Sequence, residues 1–334
     1  MAPPALVDRG SPKVIPNSTR PLKPSRLPSR LRLVILLVLN LGLQAGLLSA
    51  SYEYLGINEL GSISKQTDPS DLITPLARLA YKVVVVWLGW KLNYDFIDIS
   101  ALTAITNLPY AYLLMTYFNI SITAAAATAL SEIVAIALPT YLLRPRSAIN
   151  NHNAPVPNRY LLNSFQVNIS NFLLAIGVYV AVLYSALKTG QLNTFLVSYG
   201  DVKTVELAYE QAANPWTLLA HLLIAGAATK TFILNPSIGA APAPGDVAPV
   251  EQFDPASANL SQTLKHNFWF FSQRTRTLIK QTSIASAFLM VNTVRKCLSL
   301  DGFSNTAAAG YAGLWVVANI ICAGWWVWVG DADS

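Results

Sequence analysis

The chain has 334 residues, 53% hydrophobic and only 12% charged, with a net charge of +6 and a mean hydropathy of +0.41. A soluble domain carries about 25% charged residues, so half that density over several long apolar runs excludes an ordinary water-soluble globule and indicates a membrane protein. Runs of about 20 residues in lipid must pair their own backbone polar groups; the ~10-residue alternating segments of a β-barrel are absent, so the fold class is all-α and polytopic, with about eight transmembrane helices predicted and six or seven as the alternative.

Residues 1–32 form a basic tail rich in Pro and Ser. Arg9, Lys13, Arg20, Lys23, Arg26, Arg30 and Arg32 stand against a single acid, Asp8. Such a segment cannot bury a core and is expected to be disordered. Its charge marks the cytoplasmic side of the first span and suits anionic lipid headgroups. With no aromatic side chain to stack on bases, the tail does not suit nucleic acid.

Span one covers 33–50 and contains Gly42 and Gly46, a small-xxx-small spacing that permits close helix approach and that also occurs as ordinary glycine usage in membrane helices. The acidic loop 51–71 is assigned to the non-cytoplasmic side. Span two lies within 72–92, and Trp87, Trp90 and Tyr94 suit an interfacial belt. Spans three (97–118) and four (122–143) are joined at Asn119 as a tight hairpin. Arg144, Arg146 and Arg159 then return to the cytoplasmic side.

Span five covers 167–187, followed by a mildly acidic loop at 188–214. Pro215 opens span six, which runs to 234. Residues 235–263 are Pro- and Ala-rich and read as a mobile cytoplasmic loop. Aromatics at 268–271 followed by Arg274, Arg276 and Lys280 suit either a helix at headgroup level, in contact with lipid through those three cations, or simply the start of span seven. Span seven (282–300) is the least apolar: it holds Asn292, Thr293, Arg295 and Lys296, whose charges fit only by snorkelling to the outer interface. Span eight covers 307–329. The organisation is thus a tail (1–32), a six-helix membrane region (33–234), a loop (235–263), and an interfacial helix with two C-terminal spans (264–330), both termini cytoplasmic.

An ionisable residue inside a span is a functional candidate because burying it costs at least ~2.5 kcal/mol on insertion scales. Lys82 and Glu132 each lie ten residues into spans of the same direction, about 15 Å deep at 1.5 Å per residue. Arg78 and His221 come out about 9 Å deep, and Arg78 shares a face with Lys82. A Lys82–Glu132 pair with Arg78 and His221 nearby is therefore predicted as an intramembrane polar cluster, set against the plainer reading of snorkelling cations and a packing histidine.

The three histidines and two cysteines have no metal-ligand spacing, and no nucleophile elbow, phosphate loop or dinucleotide motif occurs. No cofactor or metal is expected. Cys297 and Cys322 fall at different depths, which argues against a disulfide. The overall reading is a non-catalytic structural or assembly component of an internal membrane such as the endoplasmic reticulum. Its partners would be the lipid bilayer, including anionic lipids, and other membrane proteins or a second copy. The alternatives are a secondary transporter or channel using the charge cluster, and a lipid-modifying enzyme drawing on 150–159 and 266–276.

Overall fold

The computed structural model describes residues 28–55, 59–65, 72–240, 259–260, 263 and 271–331. The expected disorder of the tail and nearly all of the loop at 241–263 lie outside the described residues, as does the aromatic half of the proposed interfacial helix. Within the described residues every regular element is helical, apart from one isolated bridge between Ser64 and Leu300.

The helices are α1 (Ser29–Leu55), α2 (Ile73–Lys91), α3 (Phe96–Tyr117), α4 (Ile122–Leu143), α5 (Arg159–Asn163), α6 (Phe165–Lys188), α7 (Gln191–Tyr199), α8 (Glu206–Ala213), α9 (Pro215–Thr229), α10 (Asn235–Ala240), α11 (Gln273–Cys297) and α12 (Asn305–Asp331). A π-helical turn, Lys230–Leu234, joins α9 to α10. Among the described residues six stretches are long and apolar enough to cross a membrane: Leu31–Tyr54, Ile73–Lys91, Ile122–Leu143, Phe165–Lys188, Pro215–Ala240 and Asn305–Gly330. They leave large apolar side chains such as Val38, Leu76, Leu130, Leu173 and Ile320 uncovered. Stripes of this size belong in hydrocarbon, and the chain is an integral membrane protein.

The two remaining long helices, α3 and α11, fall below that apolarity for a structural reason. They are central. α3 packs against α4, α9 and α11, and α11 lies against α3 and α12. Most of α3 is buried, from Asp98 to Tyr117, as expected of a helix surrounded by others. The polar groups of α11 are matched by α3: Gln281 Oε1 accepts from Tyr94 Oη at 2.8 Å just before α3 begins, and Asn292 donates to the carbonyl of Thr106 at 3.0 Å. Residue numbers rise together at these contacts, so α3 and α11 run parallel.

The bundle has two ends. One is the α3–α4 hairpin, where Asn119 adopts a left-handed conformation at φ 55° that asparagine tolerates better than most residues. Ser121 caps α4, and its own amide donates to Glu59 at 2.9 Å. Residues 188–214, expected as a loop, here fold into the short helices α7 and α8. The Tyr117 carbonyl accepts from the amides of Lys203 and Thr204, both at 3.1 Å. Beside them, Ile63 tucks over the α11–α12 turn, its carbonyl accepting from Asp301 N at 3.0 Å.

At the opposite end Arg144 gathers the loose carbonyls where α2 stops. It donates to Gly89 O (3.0 Å), Tyr94 O (2.8 Å), Trp90 O (3.0 Å) and Asn93 Oδ1 (2.6 Å), and stacks over Trp90. Asp95 caps α3 in a capping box, and Asn150 ties Asp95 and Asp98 to the next loop at 2.9–3.0 Å. Both ends of the described chain lie on this side. α1 starts here with Leu36 near Arg144, and Arg274 of α11 reaches Trp326 O near the end of α12.

Two expectations need correction. The first helix begins at Ser29, within the expected tail. The helix of span six continues through the π turn to Ala240, so 235–240 is helical and not loop. Pro236 sits at the second position after the π turn, where the widened spacing accommodates its missing N–H. Residues 273–280 are the first turns of α11. There Lys280 is exposed, and Arg274 and Arg276 are partly buried.

Gly42 and Gly46 meet nothing within 4 Å, so their spacing serves no contact among the described residues. Close approach occurs instead at Gly226, where a Cβ would overlap Ile176 Cγ1 and come within 3.1 Å of Ile176 N and 3.2 Å of Phe172 O. Both cysteines are buried and free.

Candidate functional site

Midway along the bundle, α1, α2, α3, α4 and α11 line a partly open cavity of about 50 Å³. Its wall includes Asn40 and Gln44 from α1, Tyr81 and Lys82 from α2, Thr103, Thr106 and Asn107 from α3, Glu132 from α4, and Asn292 and Arg295 from α11. At ~10–15 Å³ per water, this is room for three or four.

The placement follows from register. Asn107 and Glu132 stand nearly equidistant from the hairpin turn at Asn119, so antiparallel pairing of α3 and α4 sets them at the same depth. α1 runs antiparallel to α4, which brings Gln44 beside Glu132 and leaves Leu36 near Ile136. Asn40 and Gln44 share a face as an i, i+4 pair, and so do Asn292 and Lys296.

The contacts form one connected network. Lys296 Nζ lies 3.0 Å from Glu132 Oε1 and donates to Asn107 Oδ1 at 2.5 Å. Lys82 Nζ donates to Gln44 Oε1 at 2.6 Å, and Gln44 Nε2 donates to Glu132 Oε1 at 3.3 Å. Asn292 Nδ2 donates to Asn107 Oδ1 at 3.2 Å and its own Oδ1 accepts from Arg295 Nη2 at 2.8 Å. The Arg295 guanidinium stacks over Tyr81 at 4.9 Å from the ring centre, and Lys296 faces the Tyr110 ring at 5.3 Å. Thr106 and Asn107 donate back to Thr103 O at 3.0 and 2.9 Å, in the turn before Pro109.

Lys82 and Glu132 thus line the same cavity, joined through Gln44, while the direct ion partner of Glu132 is Lys296. Arg78 lies one turn from Lys82 toward the hairpin end, outside the cavity wall. His221 is elsewhere: its Nδ1 lies 2.7 Å from the carbonyl of Thr217 in its own helix, α9. Lys296 does not snorkel outward. It is 9% exposed and points into the bundle, because a carboxylate on α4 and an amide on α3 stand at its depth.

Sequence reading missed Asn40, Gln44 and Asn107, and misjudged Arg295 and Lys296. A usable signal existed in the i, i+4 spacings within α1 and α11. What single-helix periodicity could not supply was the parallel pairing of α3 with α11.

A second buried polar group lies where α9 enters the π turn. Tyr179 Oη bonds Thr229 Oγ1 at 2.9 Å and also donates to Asn319 Oδ1, with all three residues buried. It has no charge. Among the described residues no group of three or more His, Cys, Asp or Glu side chains is arranged to hold a metal ion.

Comparison with protein-family models, with curated proteins and with solved structures finds no match for this chain.

Proposed function

With no relative to lend a role, we propose from geometry that this protein crosses its membrane eight times and is a carrier for a small polar solute, with the cavity between α1, α2, α3, α4 and α11 as the binding site. α3 and α11 are the two crossings beyond the six apolar ones, shielded from lipid by their neighbours. An even number of crossings agrees with both ends of the described chain lying at the end of the bundle where Arg144 and Arg159 gather, and the positive-inside rule makes that end cytoplasmic.

The observation that carries the carrier reading is the charge network itself. Each ionisable side chain at mid-span costs about 2.5–3.5 kcal/mol on insertion scales, and hydrophobic replacements of a buried ion pair are often no less stable. Four such side chains at a polar-lined cavity are therefore better explained by a ligand path than by stability.

The test is solvent access. Both native cysteines are replaced by alanine and a single cysteine is placed at Asn40 or Thr103. Reaction of that cysteine with a small water-soluble thiol reagent, in intact membranes, is the expected result. Complete protection at both positions, in folded protein, overturns the carrier reading.

A second reading is favoured by the small size of the cavity: a non-catalytic structural or assembly component of an internal membrane, such as the endoplasmic reticulum, with the charges serving only to fix helix register. Solute flux into proteoliposomes that is lost in Glu132→Gln separates the two, because a structural component carries none.

A further inference from the structure

We infer that the cavity binds a small anion, of the chemical class of halide, nitrate or a short carboxylate, held chiefly by Lys82 and Arg295. This rests on the reading of the cavity as a solute site.

The charge balance points to an anion. Three cationic side chains, Lys82, Arg295 and Lys296, meet in this network, and among the described residues of the cavity wall Glu132 is the sole carboxylate. That carboxylate is committed, since Lys296 lies 3.0 Å away and Gln44 donates to the same oxygen. Two positive charges are left without a counter-charge in a region where water is scarce.

The hydrogen bonds agree. Lys82 has three donors and gives one to Gln44. Arg295 has five, with one bond to Asn292, and its Nε is buried with no partner. Three of the four wall amides are already engaged. Gln44, Asn107 and Asn292 already turn their carbonyl oxygens toward the cations and their amino groups toward Glu132 or helix carbonyls. A cation in the cavity would meet two uncompensated like charges, and a neutral solute would leave both charges standing. A monovalent anion offsets one of the two, shared between Lys82 and Arg295, and takes up the spare N–H groups of Arg295.

Volume narrows the class. About 50 Å³ admits a monatomic or three- to four-atom anion and excludes a nucleotide or a whole phospholipid headgroup. Arg78, one turn from Lys82 toward the hairpin end and outside the cavity wall, adds positive potential on that side.

The experiment uses the full chain in nanodiscs of neutral lipid, with thermal unfolding followed as sodium gluconate is replaced by sodium chloride at constant ionic strength. Saturable stabilisation by chloride, repeated with nitrate and acetate, is expected. Lys82→Gln and Arg295→Gln should each weaken it at least tenfold, with Lys82→Arg restoring it and exposed Lys188→Gln leaving it unchanged.

No chloride-specific stabilisation of the wild type overturns the proposal, and so does stabilisation unaltered in both glutamine variants. If only nanodiscs containing phosphatidic acid stabilise the protein, through the same two side chains, the anion is a lipid phosphate and the free-anion proposal fails. Proteoliposome flux distinguishes this inference from the reading beneath it. Carriage of a cation or neutral solute retains the carrier and overturns the anion. Chloride binding without flux of any solute retains the anion and overturns the carrier.

Discussion

Glu132 on α4 and Lys296 on α11 lie 3.0 Å apart in the middle of the bundle, although 163 residues separate them in the chain. The pair joins the α3–α4 hairpin to the α11–α12 pair. Around it, Gln44 extends the network from Glu132 to Lys82, and Asn107 extends it from Lys296 to Asn292.

Breaking one partner of a buried pair leaves the other charge uncompensated, at a cost of about 3–5 kcal/mol. Glu132→Gln and Lys296→Met should each lower the thermal midpoint of the purified protein markedly. The double variant should be less destabilised than the sum of the two. Additive losses, measured by unfolding in detergent, would show that the two side chains do not act on each other.

Arg144 holds four oxygen acceptors around the end of α2 through a planar fork that lysine cannot reproduce. Arg144→Lys is therefore expected to lose nearly as much stability as Arg144→Ala, about 2 kcal/mol for several charged hydrogen bonds at a half-buried site. Limited proteolysis of the α2–α3 turn should rise in step in both variants.

Gly226→Ala places a Cβ against Ile176 and the backbone of α6, and overpacking of this kind costs about 1–3 kcal/mol. Gly42→Ala and Gly46→Ala meet nothing and should leave unfolding unchanged within about 0.5 kcal/mol. If all three alanine variants melt alike, α6 and α9 do not cross at Gly226.

Asn119 sits at φ 55° in the two-helix turn. Asn119→Gly should be neutral or slightly stabilising, whereas Asn119→Val should cost about 1–2 kcal/mol, the penalty of a left-handed conformation for an L-residue with a bulky Cβ. The ordering of the two midpoints checks this without any functional assay.

The apolar runs made most helices legible before any coordinates. Span four coincides with α4 at both ends, because Ser121 caps one end and Arg144 with Pro145 stops the other. α7 and α8 were not legible: they are short, and they rest on packing, α7 against α6 and α12, and α8 against α6, α3 and α9. Depth counting brought Lys82 and Glu132 together because both lie on helices of the same direction. It also drew in His221, since equal depth says nothing about which side of the bundle a helix occupies. Lys296 was misread for the opposite reason. Counted along its own helix it is near an end, but α11 stops about six residues short of where α3 stops, so its last turn still faces the bilayer interior.

The parallel pairing of α3 with α11 has a consequence for synthesis. A ribosome delivers Glu132 to the bilayer while Lys296 is still more than a hundred residues from being translated. Through that interval the carboxylate has only Gln44, and through it Lys82, both already made. These two upstream side chains act as an escort for a nascent acid, and the final lysine, on arrival, locks α11 against α4.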